Sequence, residues 1–327
     1  MRTSTNVRIG LLGASRIAPN ALLKPASEIG GVEIAAVGAR DKGRAEAFAA
    51  AHNIPVVHDS YEALVADESL DAIYNPLVPS SHAEWSIKAL EHGKHVLCEK
   101  PFARNATEAA EMVRVARLQE RVLMEAFHWR YHPLADAMLD VVAKIGPLVR
   151  GEAVFTFNLE DKERWLFNLS AGGGSAMDQG CYPIHWMRTL SGEEPEVVRA
   201  SAVAQPDNVD VSMEADLRFP SGFSAHVRCS MVNPGARIWY LVVEGARGTL
   251  RVDNPLAPQE GHRLTAEFED GTRWEKTYTL RPTYAFQLDA FLEAISGGLQ
   301  PPTGGDDAVG NMATIDSVYR AAGLPLR

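Results

Sequence analysis

The apolar residues of this chain change rhythm part-way along, and the change calls for two kinds of sheet. Over roughly the first 125 residues, short unbroken apolar runs alternate with helical stretches. Strands are expected at Val7–Leu12, Val32–Gly38, Val56–His58, Ala72–Val78, His95–Cys98 and Val122–Phe127. Helices are expected near 17–29, 42–52, 81–92 and 105–119. A strand that is apolar at every position is buried on both faces, which needs a parallel sheet with helices above and below. That is the doubly wound α/β arrangement.

The second half alternates instead. Val211, Met213, Ala215, Leu217 and Phe219 are interleaved with Ser212, Glu214, Asp216 and Arg218. Phe223, Ala225, Val227, Cys229 and Met231 repeat the pattern after the turn Pro220-Ser221-Gly222. This is a hairpin with one buried face and one wet face. Residues 238–243, 249–252 and 264–268 continue in the same style, and helices at 284–295 and 306–322 close the chain. We expect a doubly wound, Rossmann-type domain over 1–128. An α+β domain with an open, largely antiparallel sheet is expected over 129–327. The wet face of that sheet is the expected contact of a homodimer, or of a dimer of dimers.

Composition narrows the partners. The 327 residues carry a formal charge of −10, which argues against a nucleic acid or an anionic membrane. No apolar run approaches the roughly 18 residues that span a bilayer, and the first apolar run is already a strand, so no secretory leader is expected. The three cysteines, Cys98, Cys181 and Cys229, lie far apart without metal spacing. They read as reduced thiols of a cytoplasmic protein.

After the first strand comes Gly13-Ala14-Ser15-Arg16-Ile17-Ala18, a G-x-S-x-x-A variant of the dinucleotide fingerprint. Gly13 permits the tight turn and Ala18 is small enough to pack helix on strand. Ser15 replaces the middle glycine; its Cβ pushes phosphates outward, and its hydroxyl can donate in return. A plain strand–helix turn is the alternative. The second strand ends at Arg40-Asp41. A guanidinium suits a 2′-phosphate, which favours NADP over NAD. If Arg40 is only a solvated charge, Asp41 could serve a free ribose.

Two further segments invite chemistry. Glu99-Lys100-Pro101 follows the fifth strand, at the carboxyl edge where open α/β sheets bind ligands. An exposed charge beside a turn is the alternative for Lys100. In Gly172–Gly174 and the residues after it, Asp178, Tyr182 and His185 stand at helical spacing, with a helix start expected near Gly180 or Cys181 because Pro183 suits a first turn. Asp178 as a helix cap and Tyr182 as a core aromatic is the alternative. His82 either touches cofactor or opens a helix capped by Ser80 or Ser81. Trp129 beside Arg130 suits a polyol or packing at a domain junction, and Arg164 and Trp165, before the glycine run, could form the far wall of a sugar pocket. His128 and His132, four apart, could share a helix face toward zinc, but no third ligand is evident and no metal is expected.

The stretches "GLLGASRIA", "HAEWSIKALEHGKHVLCEKPF", "MEAFHWRYHP", "GGGSAMDQGCYPIH" and "GGDDAVGNMATIDSVYRAAG" together resemble the glucose–fructose oxidoreductase / inositol dehydrogenase / MocA family. The likeness is greatest to its dihydrodiol and xylose-type dehydrogenases. It implies hydride transfer between NAD or NADP and a carbinol or carbonyl carbon of a sugar, cyclitol or cyclic diol. It implies a cofactor pocket of Gly13, Ser15, Arg16, Ile17, Arg40, Pro76, Leu77, His82, Glu99 and Lys100. It makes Lys100, Asp178 and Tyr182 catalytic, with Trp129, Arg130, Arg164, Trp165 and His185 toward substrate. The Lys100–Pro101 peptide is often cis in the family.

A free tyrosine titrates near 10, too high for a base at neutral pH. A lysine at ~4 Å, at an effective dielectric of ~20, contributes about 4 kcal/mol, or about 3 pKa units, toward the phenolate. Two rival readings share the nucleotide site: an NAD-dependent glycosidase with no net redox change, and a non-catalytic nucleotide sensor.

Overall fold

A computed structural model describes residues 6–161, 164–233, 235 and 237–327. Residues 1–5, the start of the segment read above for a leader, lie outside that set. The chain forms two compact units. The first comprises residues up to 103, 107–131 and 282–309; the second comprises 104–106, 132–281 and 310–327.

The first unit is built on a six-stranded sheet with spatial order β3-β2-β1-β4-β5-β6, every neighbouring pair parallel. Its strands are β1 (Val7–Leu12), β2 (Val32–Gly38), β3 (Val56–His58), β4 (Ala72–Asn75), β5 (His95–Cys98) and β6 (Leu123–Glu125). Between them run α1 (Lys24–Glu28), α2 (Lys42–His52), α3 (Tyr61–Val65), α4 (Pro79–Glu91) and α5 (Ala106–Leu118). The order reverses between β1 and β4, so the ligand crevice of a doubly wound sheet opens at their carboxyl ends.

Two elements differ from the sequence reading for a reason visible in the chain. The single helix expected over 17–29 is a π-turn, Pro19–Leu23, running into α1. Pro25 has no N–H to give, and Lys24 N–H bonds five residues back to Pro19 O. The fourth strand stops at Asn75 rather than Val78, because Pro76 cannot donate to a ladder.

The core of this unit joins Ile9, Leu11, Val37, Tyr74, Leu97 and Met124 of the sheet to Leu288 and Phe291. The last two belong to α8 (Thr283–Gly297), which follows the whole second sheet in the chain.

The second unit holds an eight-stranded sheet ordered β14-β13-β12-β11-β7-β10-β9-β8. The strands are β7 (Leu148–Thr156), β8 (Glu196–Ala204), β9 (Asp210–Arg218), β10 (Ser224–Ser230), β11 (Ile238–Gly245), β12 (Gly248–Asp253), β13 (Arg263–Phe268) and β14 (Arg273–Lys276). All neighbours are antiparallel except β7 and β10. On one face α6 (Pro133–Ile145) packs on β11, β12 and β13, and α7 (Cys181–Ser191) on β7 and β10. Met213, Ala215, Leu217, Ala225, Val227 and Cys229 are buried. The opposite face carries ion pairs such as Arg150–Glu244 at 2.7 Å and Arg199–Asp216 at 2.9 Å. The alternation of one buried and one wet face is thus realised. α9 (Asp306–Ala321) ends the helical part of the chain. No helix among the described residues is long and apolar enough to cross a membrane.

Candidate active site

Three turns at the carboxyl edge of the first sheet hold most of the expected cofactor residues. After β1, Gly13 adopts φ +80°, the left-handed region that favours glycine. A Cβ there would lie 3.2 Å from Leu77 Cδ2 and 3.4 Å from the Tyr61 hydroxyl. Gly13 N–H donates to Gly38 O at 2.6 Å, which ties the turn to the end of β2. Ser15 Oγ accepts from Ile17 N–H at 3.3 Å, which leaves its own proton for a ligand. Ala18 is buried where the fingerprint wants a small residue. The bare turn and the small packing residue fit a bound dinucleotide.

Arg40, exposed after β2, stands beside the Tyr61 hydroxyl. Burial raises the Tyr61 pKa, while the charge and hydrogen bond of Arg40 oppose the rise. Tyr61 was not singled out in the sequence; as the first residue of α3 it carries no motif. Asp41 is the N-cap of α2 and accepts from Arg44 N–H at 2.9 Å.

The second and third turns are braced against each other. Asn75 Oδ1 accepts from Leu77 N–H at 3.3 Å, while its Nδ2 donates to His82 O and Ser86 Oγ. His82 is buried, with Nε2 2.9 Å from Leu77 O and Nδ1 2.9 Å from Pro101 O. Burial lowers its pKa against the pull of those carbonyls, and a neutral ring donates to one of them at a time. Both ring nitrogens are engaged, so His82 acts on the pocket by clamping the turn after β4 to the turn after β5.

At the third turn the Lys100–Pro101 peptide is cis. Glu99 N–H donates to Asn75 O at 3.0 Å. Its carboxylate accepts from the Tyr74 hydroxyl at 2.7 Å through one oxygen and from Lys100 N–H at 3.2 Å through the other. His128 is buried and hydrogen-bonded through Nδ1 to Thr283 Oγ1 at 2.7 Å. Burial first, and the nearby Lys100 charge second, bring its pKa down to about 3. A neutral imidazole therefore stands next to the lysine. His128 and His132 do not share a helix face: His128–Tyr131 is a 3₁₀ turn and His132 caps α6. His132 lies in the second unit, engaged by Leu134 N–H and Thr279 O. Trp129 is 1% exposed and Arg130 is half-buried. Among the described residues no cluster of His, Cys, Asp or Glu could hold a metal ion.

In the second unit, Asp178 lies in a π-turn, Ala176–Gly180, that runs straight into α7. Asp178 N–H donates to Gly174 O at 3.0 Å and Asp178 O accepts from Cys181 Sγ at 3.5 Å. Tyr182 is 3% exposed, set edge-on to Phe155 with ring centres 5.7 Å apart. His185 is buried one turn further on. Arg164 and Trp165 are half-buried, and Trp165 packs with Leu159, Leu166, Val211 and Met231. The backbone of Gly173 and Gly174 packs closely against its neighbours. A Cβ on Gly173 would meet Leu166 O at 2.5 Å, and one on Gly174 would meet Tyr319 Oη at 2.7 Å.

Residues 7–127 match the profile described as oxidoreductase family, NAD-binding Rossmann fold, and residues 140–251 match the GFO/IDH/MocA C-terminal domain. D-xylose 1-dehydrogenase (NADP(+)) 2 of Haloferax volcanii is 34% identical over 318 residues, covering 96% of each chain. The chain belongs to the GFO/IDH/MocA oxidoreductase family. It is similar over 77% of its length, at 34% identity, to the dTDP-3,4-didehydro-2,6-dideoxy-alpha-D-glucose 3-reductase of Saccharopolyspora spinosa, of which 76% is covered. Among solved structures it superposes on KijD10, a 3-ketoreductase from Actinomadura kijaniata in complex with NADP and TDP-benzene. There the TM-score is 0.89 at 26% identity, over 97% of this chain and 98% of that one. As a GFO/IDH/MocA oxidoreductase, the protein is a nicotinamide-dependent dehydrogenase or reductase.

Proposed function

We propose that this enzyme is an NADP-preferring dehydrogenase or reductase acting at a carbinol or carbonyl carbon of a sugar, cyclitol or cyclic diol. The cofactor, when bound, supplies or accepts the hydride. Tyr182 takes or returns the proton of the reacting hydroxyl. Lys100 supplies the positive charge that favours its phenolate, and Asp178 holds the substrate hydroxyl. Gly13, Ser15, Arg16, Ile17, Pro76, Leu77 and Glu99 form the cofactor cradle, and Arg40 takes the 2′-phosphate. His185 and the walls at Trp129, Arg130, Arg164 and Trp165 face the polyol.

The observation that carries the reading is the setting of Lys100. It follows a carboxylate locked by Tyr74 and stands beside a histidine kept neutral, at the carboxyl edge of β5. The NADP-dependent xylose dehydrogenase supports the cofactor and the sugar class. KijD10 has been solved with a lysine replaced and with a tyrosine replaced, the two residue types paired here.

The test is a panel of aldoses, cyclitols, trans-diols and keto-sugars, followed by nicotinamide absorbance with both cofactors. Tyr182→Phe is expected to lose about 10²–10⁴-fold in kcat while cofactor binding persists. Retained turnover removes Tyr182 from the role. Sugar cleavage without net NADPH formation would instead favour a redox-neutral glycosidase.

We also infer a homodimer through the wet face of the eight-stranded sheet. Its alternating Arg150, Glu244, Arg199 and Asp216, with exposed Val198 and Val203, suit a self-complementary contact. Light scattering on the protein and on Val203→Glu tests it; a monomer in both refutes it.

A further inference from the structure

Asp210, the first residue of β9, forms an ion pair with Arg327 in which neither side chain has any exposed surface. The Asp210 carboxylate takes four donors. Oδ2 accepts from Ser175 Oγ and from Ala176 N–H, both at 2.7 Å. Oδ1 accepts from the Tyr319 hydroxyl at 2.9 Å and from Arg327 Nη2. Arg327 also donates Nε to Gly173 O at 2.7 Å and Nη1 to Pro325 O at 3.0 Å, and its guanidinium lies 4.0 Å from the Tyr319 ring centre.

A buried ion pair is a weak source of stability, since an apolar filling of the same volume often does as well. What the pair supplies instead is direction. Its hydrogen bonds converge on Gly173, Ser175 and Ala176, the residues that enter the Asp178 turn. Gly174 O then holds Asp178 N–H, and Tyr182 follows through the continuous helix. The same end of the chain reaches a second stretch. Arg327 O accepts from Asn105 Nδ2 at 3.2 Å, and Asp316 Oδ2 accepts from Ala106 N–H at 3.1 Å. Residues 105 and 106 come shortly after Lys100 in the chain.

We propose that Asp210 and Arg327 are positioning residues of this oxidoreductase, fixing where Asp178 and Tyr182 stand. The proposal rests on the roles given to those two residues above.

The test compares the parent protein with Arg327→Met, Arg327→Lys and Tyr319→Phe. Arg327→Met is expected to lower kcat about 10- to 100-fold, the scale of an ångström-sized misplacement. NADPH affinity, read by fluorescence titration, should stay within about twofold of the parent protein under the same argument. The primary deuterium isotope effect on kcat should rise as transfer becomes limiting, and Arg327→Lys should recover part of the loss. Unchanged kcat and isotope effect in folded Arg327→Met overturn the proposal. If Arg327→Met does not fold, Tyr319→Phe, which removes one donor from Asp210, decides by the same readouts.

If the parent protein turns over no member of the panel, the assigned reaction has failed on its own, and amide exchange decides the positioning claim. Faster exchange over 174–182 in Arg327→Lys or Tyr319→Phe, with β4 and β5 unchanged, supports it. Unchanged exchange over 174–182 overturns it.

Discussion

The Tyr74 hydroxyl and the Glu99 carboxylate share a 2.7 Å hydrogen bond, one residue before Lys100. Burial first, and the Glu99 charge next, hold the Tyr74 pKa well above its ordinary value, so the phenol remains a donor. Tyr74→Phe should therefore lower stability by about 1.5–3 kcal/mol, the scale of a hydrogen bond to a charged group. The pH dependence has a definite sign. A pKa raised in the folded state gives stability that is present below the unfolded value near 10 and is lost as pH rises beyond it. Urea unfolding across that range should show an alkaline decline in the parent protein that is reduced in Tyr74→Phe.

His128 predicts the acid limb. Its pKa falls from about 6.5 unfolded to about 3 folded, so its stability is present above 6.5 and lost as pH drops toward 3. Across that window one proton should cost about 1.4 kcal/mol per pH unit. His95, brought down to about 4 mainly by burial, adds to the same limb. Urea midpoints measured against pH should show a shallower acid slope in His128→Asn than in the parent protein.

Arg40→Ala should weaken NADP binding about 10- to 100-fold and leave NAD binding nearly unchanged, as expected on losing a charge-assisted pair. Tyr61→Phe, which takes a hydroxyl from beside Arg40, should weaken NADP by less. Equal affinity for NADP in Arg40→Ala and the parent protein, by titration, would remove Arg40 from the 2′-phosphate.

Gly174 and Gly192 separate crowding from backbone strain. Gly192 has φ +68° with open space around it, so Gly192→Ala should cost only the left-handed penalty of about 1–2 kcal/mol. Gly174, at φ +135°, has Asp210, Tyr319 and Arg327 against the missing Cβ. Gly174→Ala should cost about 4 kcal/mol or more, seen as a collapse of the denaturant midpoint or loss of soluble protein.

What was legible in the sequence is what repeats locally. The apolar runs marked β1, β2, β3 and β5 to the residue, and the alternation marked the β9–β10 hairpin. β8 escaped because it is an edge strand in which every residue is half-buried or exposed, so no buried face marks it. α3 is too short for a helical period to register. The motifs singled out Gly13, Lys100 and Asp178. Tyr61, Tyr74, Asp210 and Arg327 carry no motif, because their meaning lies in partners distant in the chain: Asp210 and Arg327 are 117 positions apart.

The docking of α8 against the first sheet has a consequence during synthesis. The chain of β1 to β6 is complete at Glu125, yet Leu288 and Phe291, which share its core, emerge only after the entire second sheet. At roughly 5–20 residues per second, several seconds to half a minute separate the two events. Throughout that interval the nascent nucleotide-binding half exposes an oily patch while an eight-stranded sheet is being threaded out behind it. The period of greatest risk of aggregation therefore falls on the ribosome, before the last helices arrive.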